Sequence, residues 1–190
     1  MTTKLKPLTI ADWDAMPYRD GNRYEIIEGE LFVSCSPGLT HDRVLLKLIL
    51  LIGNFLETSP IGEAAANVGV ILSNVSGVIP DLLVFLNEQA DKIISNDRLK
   101  GPPALVIEIL SPGAANIRRD RINKLQLYSK HDVPEYWIVD PPNMTLERYV
   151  RQGSSLVLLE TLENVIKQVE SLPGRKVVTF MSNGLLYNPQ

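Results

Sequence analysis

ALVIEIL, residues 104–110, is an aliphatic run with a single carboxylate inside it. It leads through Ser111-Pro112-Gly113 into NIRRDRINKLQLYSK, residues 116–130. The first piece reads as a strand buried on both sides and the second as a helix, read over roughly residues 116–130. Strand residues alternate faces, so Leu105, Ile107 and Ile109 point one way and Val106, Glu108 and Leu110 the other. Glu108 is therefore planted in the middle of an otherwise apolar strand. A buried, unpaired carboxylate is costly, so it calls for a metal ion or a cation beside it. The ordinary alternatives are a sheet-edge glutamate reaching solvent, or a structural pair with an arginine.

Working outward, DLLVFL (81–86) and AANVGVILS (65–73) are further aliphatic runs upstream, and EYWIVD (135–140) is a strand downstream. TLERYVRQGSSLVLLETL (145–162) reads as a hairpin turning at Gly153-Ser154. Nearer the N-terminus, RYEIIEGELFVS (23–34) reads as two short strands around a turn at Glu28-Gly29. TIADWDAM (9–16) reads as a short helix capped by Thr9, with Asp12 favourable in its first turn. Pro37-Gly38 breaks the chain, and Thr40 is placed to cap a long helix running to about Glu57. That helix is apolar on nearly every face, which suits the centre of a core or a contact with a second copy, so a homodimer is an expected assembly. This order of elements predicts an α/β (α+β) fold with a central mixed sheet flanked by helices. No linker or repeat divides it, so residues 1–190 read as a single domain.

Composition narrows the function. The chain has 190 residues, 45% hydrophobic and 22% charged, which is globular rather than disordered. Its one cysteine, Cys35, cannot pair within the chain, which suits a reducing compartment. The N-terminal residues lack the continuous apolar core of a signal peptide. The most apolar stretch, residues 44–56, is shorter than the roughly 20 residues a membrane span requires. The expected protein is soluble and cytoplasmic, with no membrane partner. Its net charge of −3 argues against non-specific coating of nucleic acid, which needs a basic surface. Any phosphate contact must be local or supplied by metal ions.

The local charge is on the helix after Glu108. Between Ile117 and Lys130 stand Arg118, Arg119, Arg121, Lys124 and Lys130 against one acid, Asp120. At 3.6 residues per turn, Ile117, Ile122, Leu125 and Tyr128 mark the face expected on the sheet, with Arg119, Asn123, Gln126 and Lys130 opposite. Arg121 and Lys124 fall within or beside the apolar face. Asp120, one turn before Lys124, can hold it by an i,i+4 contact. A lysine snorkelling along the helix edge would look the same in sequence. Asp81, after Pro80, opens the DLLVFL strand; alone it is a common turn residue. If its strand pairs with that of Glu108, the two carboxylates can share one sheet face. Such a pair suits magnesium or manganese, which favour carboxylate, water and phosphate ligands.

RYEIIEGEL, PDLLVFL, VIEILSP, RDRINKLQLY and VPEYWIVDP, in this order over roughly residues 10–165, resemble the Uma-type "putative restriction endonuclease" family of the PD-(D/E)xK nuclease superfamily. The resemblance implies a restriction-endonuclease-like core and metal-dependent hydrolysis of phosphodiester bonds in nucleic acid, DNA first. It makes Asp81 the aspartate of the "PD" element and Glu108 the second acid. Asp81, Glu108 and the Ile109 carbonyl would then hold Mg2+ or Mn2+. The superfamily's usual lysine position, two after the second acid, holds Leu110; the family moves that lysine to the following helix, where Lys124 matches it. Glu25 and His41 match further polar positions of the site. Arg121 and Arg118 would grip flanking phosphates, with Asp120 beside them. The chain departs from the family at Glu28-Gly29-Glu30, where aspartate-glycine-glutamate is common, and in its tail KVVTFMSNGLLYNPQ (176–190). Two alternatives remain: a catalytically inactive nuclease-fold domain that binds nucleic acid or regulates, and an interaction protein using the apolar helix. No glycine-rich phosphate loop and no nucleophilic serine or cysteine arrangement is present.

Overall fold

The computed structural model describes residues 6–16 and 21–163. The tail at 176–190 lies outside them. Helix α1 (Ile10–Asp14) starts at Thr9, whose hydroxyl and backbone form a capping box with Asp12. Strands β1 (Arg23–Ile27) and β2 (Glu30–Ser34) pair as a hairpin. Its two turn residues, Glu28 and Gly29, both have positive φ (52° and 82°), the primed-turn geometry that keeps twisted strands paired. Gly29 is required twice over, because a Cβ there would stand 2.4 Å from Pro7 Cβ.

The long helix α2 (Leu39–Thr58) is capped by Gly38 and not by Thr40, which lies inside its first turn. Then follow β3 (Gly62–Ala66), β4 (Val70–Ser73), β5 (Ser76–Val78) and β6 (Leu82–Leu86). AANVGVILS is thus two strands in different sheets. Asn67, at positive φ (56°), breaks it between them. Next come α3 (Asn87–Ile93), β7 (Ile94–Ser95), β8 (Arg98–Lys100) and β9 (Leu105–Ile109). A continuous helical stretch follows: α4 (Ala114–Arg118), a π-helical turn at Arg119–Lys124, and α5 (Leu125–Lys130). Strands β10 (Glu135–Asp140), β11 (Thr145–Gln152) and β12 (Ser155–Glu163) complete the described chain, with the β11–β12 turn at Gly153-Ser154.

The strands form two six-stranded sheets, ordered β12-β11-β10-β9-β6-β3 and β2-β1-β5-β4-β8-β7. The first is mixed: β9 and β10 run parallel, and its other pairings are antiparallel. The second sheet goes beyond the single central sheet read from sequence. Its strands are short, and their pairing is long-range, so periodicity alone does not show it. Core packing follows the alternation of β9. Leu105, Ile107 and Ile109 pack with Val44, Leu48, Ile52 and Phe55 of α2. On the other face, Val106 and Leu110 pack with Leu127 and Tyr128 of α5 and with Ile27, Val70 and Val78 of the second sheet. Each such fully buried side chain contributes roughly 1.5–3 kcal/mol. Helix α2 leaves Leu39, Leu46 and Leu50 exposed on its outer side. No described helix is long and apolar enough to cross a membrane.

Candidate active site

Glu108 and Asp81 meet because β6 and β9 pair antiparallel, Leu82 opposite Ile107. Asp81 sits one residue before β6, and its Oδ2 accepts the Ile109 N–H at 2.8 Å, which ties it to the strand carrying Glu108. His41, from the first turn of α2, places Nε2 3.1 Å from the same oxygen. Among the described residues the other ring nitrogen of His41 is buried without a hydrogen-bond partner, 3.7 Å from Asp42. Asp81 Oδ1 takes a hydrogen bond of 2.9 Å from Arg23 Nη1, delivered by β1. Burial alone would raise the Asp81 carboxyl. The His41 contact, the Arg23 charge and the Ile109 N–H outweigh it and hold the group well below the usual carboxylate range.

Glu108 is in a different environment. Lys124 Nζ lies 2.8 Å from Glu108 Oε1, and the Tyr128 hydroxyl donates to the same atom at 3.0 Å. Lys124 also lies 2.8 Å from Glu25 Oε1 and 3.9 Å from Asp120 Oδ1, so one ammonium serves three buried acids. Glu25 Oε1 also accepts the Ile79 N–H at 2.7 Å. Burial pushes the Glu108 carboxyl up to about 8; Lys124 opposes this, and the charges of Asp81, Asp120 and Glu25 add to it. Asp120 is raised too, first by burial, against the pull of Lys124 and Arg119. Burial works to lower Lys124, but the surrounding acids prevail and hold it above its ordinary value.

The π-helical turn explains why these helix residues converge. A π turn inserts about one residue, which shifts the phase of everything before it by roughly the 100° that one residue occupies. Asp120 and Lys124 turn fully inward, while Ile117 and Ile122, read as sheet-facing, stay 39% and 47% exposed. Arg119, read as facing solvent, has a side chain only 11% exposed and donates to Asp120 Oδ1 at 2.9 Å. Its Nε also stands 3.8 Å from Glu25 Oε2. The Tyr136 hydroxyl donates to the Asp120 carbonyl at 3.0 Å and anchors the turn to β10.

A cavity of about 290 Å³ opens onto this constellation, with Arg23, His41, Asp81, Glu108, Ile109 and Arg119 on its wall. Lys124, fully buried, stands behind Glu108 together with Glu25 and Asp120. The structure thus brings Asp81, Glu108, Ile109, His41, Glu25, Asp120 and Lys124 together. It does not bring Arg121, whose guanidinium pairs with Asp140 at 3.0 Å and with Glu147. Arg118 is exposed and off the cavity wall. Sequence reasoning missed Arg23, Arg119 and Tyr128 as site residues. Arg23 was findable: it is two residues before Glu25 on the same strand, so it shares that face. Among the described residues no three His, Cys, Asp or Glu side chains already form a metal-holding group.

A mixed sheet carrying two acids at a cavity, backed by a lysine from a helix, defines a protein with the restriction-endonuclease-like fold. The chain belongs to the family described as "Putative restriction endonuclease" (Uma2), whose model matches residues 10–180. Among solved structures it is similar to a putative nuclease belonging to DUF820 from Anabaena variabilis. The two share 20% identity at a TM-score of 0.63, over 82% of this chain and 83% of that one. It is also similar, at 10% identity and a TM-score of 0.44, to the type IIG restriction endonuclease BpuSI. That match covers 80% of this chain and 18% of the other. No curated protein sequence matches the chain.

Proposed function

We propose that the protein is a divalent-metal-dependent endonuclease that hydrolyses phosphodiester bonds of nucleic acid. The family's description as restriction endonucleases points to DNA as the substrate. The observation that carries the reading is that Asp81 and Glu108 line one cavity from paired strands. Their chemistry fits Mg2+ or Mn2+. Both are hard oxygen donors, and the Glu108 carboxyl is raised by burial first, with the charges of Asp81, Asp120 and Glu25 adding to it against Lys124. Asp81, Glu108 and the Ile109 carbonyl would hold the ion. Bound there, it would supply Lewis-acid polarisation of a phosphoryl oxygen and a more acidic water.

The chain's own residues have separate tasks. His41 and the Ile109 N–H fix the orientation of Asp81. Lys124 and Tyr128 fix Glu108 through Oε1, leaving Oε2 without a protein donor among the described residues. Lys124 is then a positioning residue acting through Glu108, with Glu25 and Asp120 holding it in turn. Arg119, on the cavity wall, contacts the phosphate group, the role that sequence had given to Arg121 and Arg118. In the reaction, water oxygen bonds to phosphorus, the bridging P–O bond breaks, and the leaving oxygen takes a proton.

The test is magnesium-dependent cleavage of plasmid and oligonucleotide DNA by wild type and Glu108→Ala. Wild type is expected to cleave, and the variant to lose at least about 100-fold in rate, as for loss of a major electrostatic element. Equal rates would overturn the assignment. DNA binding with neither metal binding nor cleavage in wild type would establish the inactive binding module instead.

A further inference from the structure

The two acids of the site are not equally available to an ion. Asp81 Oδ2 is held from inside by the Ile109 amide and His41, whereas Oδ1 is covered by the Arg23 guanidinium at 2.9 Å. A guanidinium and a divalent cation on one carboxylate oxygen repel each other strongly at such range. Arg23 is also the more exposed partner: its side chain is 23% exposed against 4% for Asp81. Its remaining contacts are to the Ile79 carbonyl at 3.3 Å and to the Asn67 side chain. It forms part of two walls at once, that of the active-site cavity and that of an adjoining pocket of about 60 Å³ beside Trp13, Tyr24 and Arg98. The guanidinium therefore has open space beside it and an anion-sized cavity in front of it.

We propose that Arg23 is a removable counter-cation, which holds Asp81 in the free protein and leaves it for a phosphodiester entering the cavity. This rests on the metal-site reading above. A guanidinium binds phosphate through a planar fork at least as well as it binds one carboxylate oxygen. Substrate thus uncovers Asp81 for the ion, and by linkage the ion uncovers Arg23 for substrate. Metal and nucleic acid bind cooperatively, and the free protein holds metal weakly. An unguided hydrolytic centre is thereby kept unloaded until a phosphodiester is present.

The test is calorimetric titration of Mn2+ into wild type, Arg23→Gln and Arg23→Lys, each alone and with a short phosphorothioate-linked DNA duplex. Asp81→Asn serves to locate the ion, and thermal melts confirm folding. Without DNA, Arg23→Gln is expected to bind Mn2+ about tenfold tighter than wild type, and Arg23→Lys within about twofold of wild type. DNA is expected to tighten Mn2+ binding to wild type about tenfold more than to Arg23→Gln. Asp81→Asn is expected to lose the heat of binding. Equal Mn2+ affinities in wild type and Arg23→Gln, with equal tightening by DNA, would overturn the role of Arg23 and leave the metal site standing. No Mn2+ binding by any form would overturn both. Should Arg23→Gln fail to fold, an Arg23→Lys variant whose Mn2+ binding DNA tightens as much as wild type would overturn the proposal, because a lysine lacks the fork.

Discussion

Two clusters of buried charge occupy opposite faces of the same sheet. Glu135 shares its face with Trp137 and Val139, which pack on α2, while Glu108 and Asp120 face the other way. In the first cluster Arg148 reaches Glu135 through Nε at 2.6 Å and through Nη2 at 3.3 Å, and Trp137 Nε1 donates to Glu135 Oε1 at 2.5 Å. Its third nitrogen bonds Glu160 at 3.0 Å. That is one guanidinium shared between two acids. In the second cluster one lysine is divided among Glu25, Glu108 and Asp120, and Glu108 presents its other side to a cavity. Buried ion pairs by themselves do not identify a site. A buried carboxylate that shares its cation with other acids and also faces a cavity is the feature that marks one.

Removing the base from each cluster should show this difference most strongly. Lys124→Met leaves three buried acids facing one another, and Arg148→Met leaves one, Glu135, beside the partly exposed Glu160. Each is expected to lose about 3–5 kcal/mol in urea unfolding, the cost of an uncompensated buried charge. Only Lys124→Met should also lose DNA cleavage, by about 100-fold relative to wild type. A similar cleavage loss in Arg148→Met, at temperatures where it remains folded, would erase the contrast.

The next effect is a pH dependence. The Glu108 carboxyl has an ordinary value of 4.5 and is raised to about 8 in the folded protein. Above 4.5 the unfolded chain gives up this proton first, so the group costs folding stability as pH rises, until the folded carboxyl ionises near 8. Glu108→Gln removes that cost. The variant is expected to match wild type near pH 4.5 and to gain on it towards pH 8, by on the order of 4 kcal/mol. Urea unfolding at several pH values without metal measures it, and a flat difference across that range would show that Glu108 is ionised throughout.

The smallest expected effect concerns a third group on the Glu108 side of the sheet. Arg121 pairs with Asp140 and Glu147, with its side chain about one-third exposed. Arg121→Met is expected to cost about 1 kcal/mol and to change cleavage less than about threefold. A large loss of cleavage there would return Arg121 to the phosphate-binding role read from sequence.

Much of the frame was legible because it rests on local signals. Alternation in ALVIEIL correctly separated Glu108 from Leu105, Ile107 and Ile109. Thr9 capped its helix, and Glu28-Gly29 and Gly153-Ser154 turned their hairpins. The meeting of Asp81 and Glu108 was legible only as a condition, that their strands pair as a hairpin; they do pair antiparallel, but with α3, β7 and β8 between them rather than a turn. What failed was the angular reading of the helix. A 3.6-residue projection cannot anticipate a π turn, so it placed Ile122 inside and Arg119 outside, where the structure has Ile122 exposed and Arg119 on the cavity wall. The second sheet was missed because strands as short as Ser76–Val78 and Ile94–Ser95 carry almost no pattern; they exist through their neighbours.

The central claim is that Asp81 and Glu108 together hold a divalent ion in the cavity. Anomalous diffraction from crystals soaked in Mn2+ and a phosphorothioate-linked DNA duplex tests it most directly. The account predicts an anomalous peak within coordination distance of both carboxylates, about 2.0–2.3 Å, with Arg23 moved off Asp81. A well-ordered soaked crystal with no peak there and Arg23 still on Asp81 would contradict it.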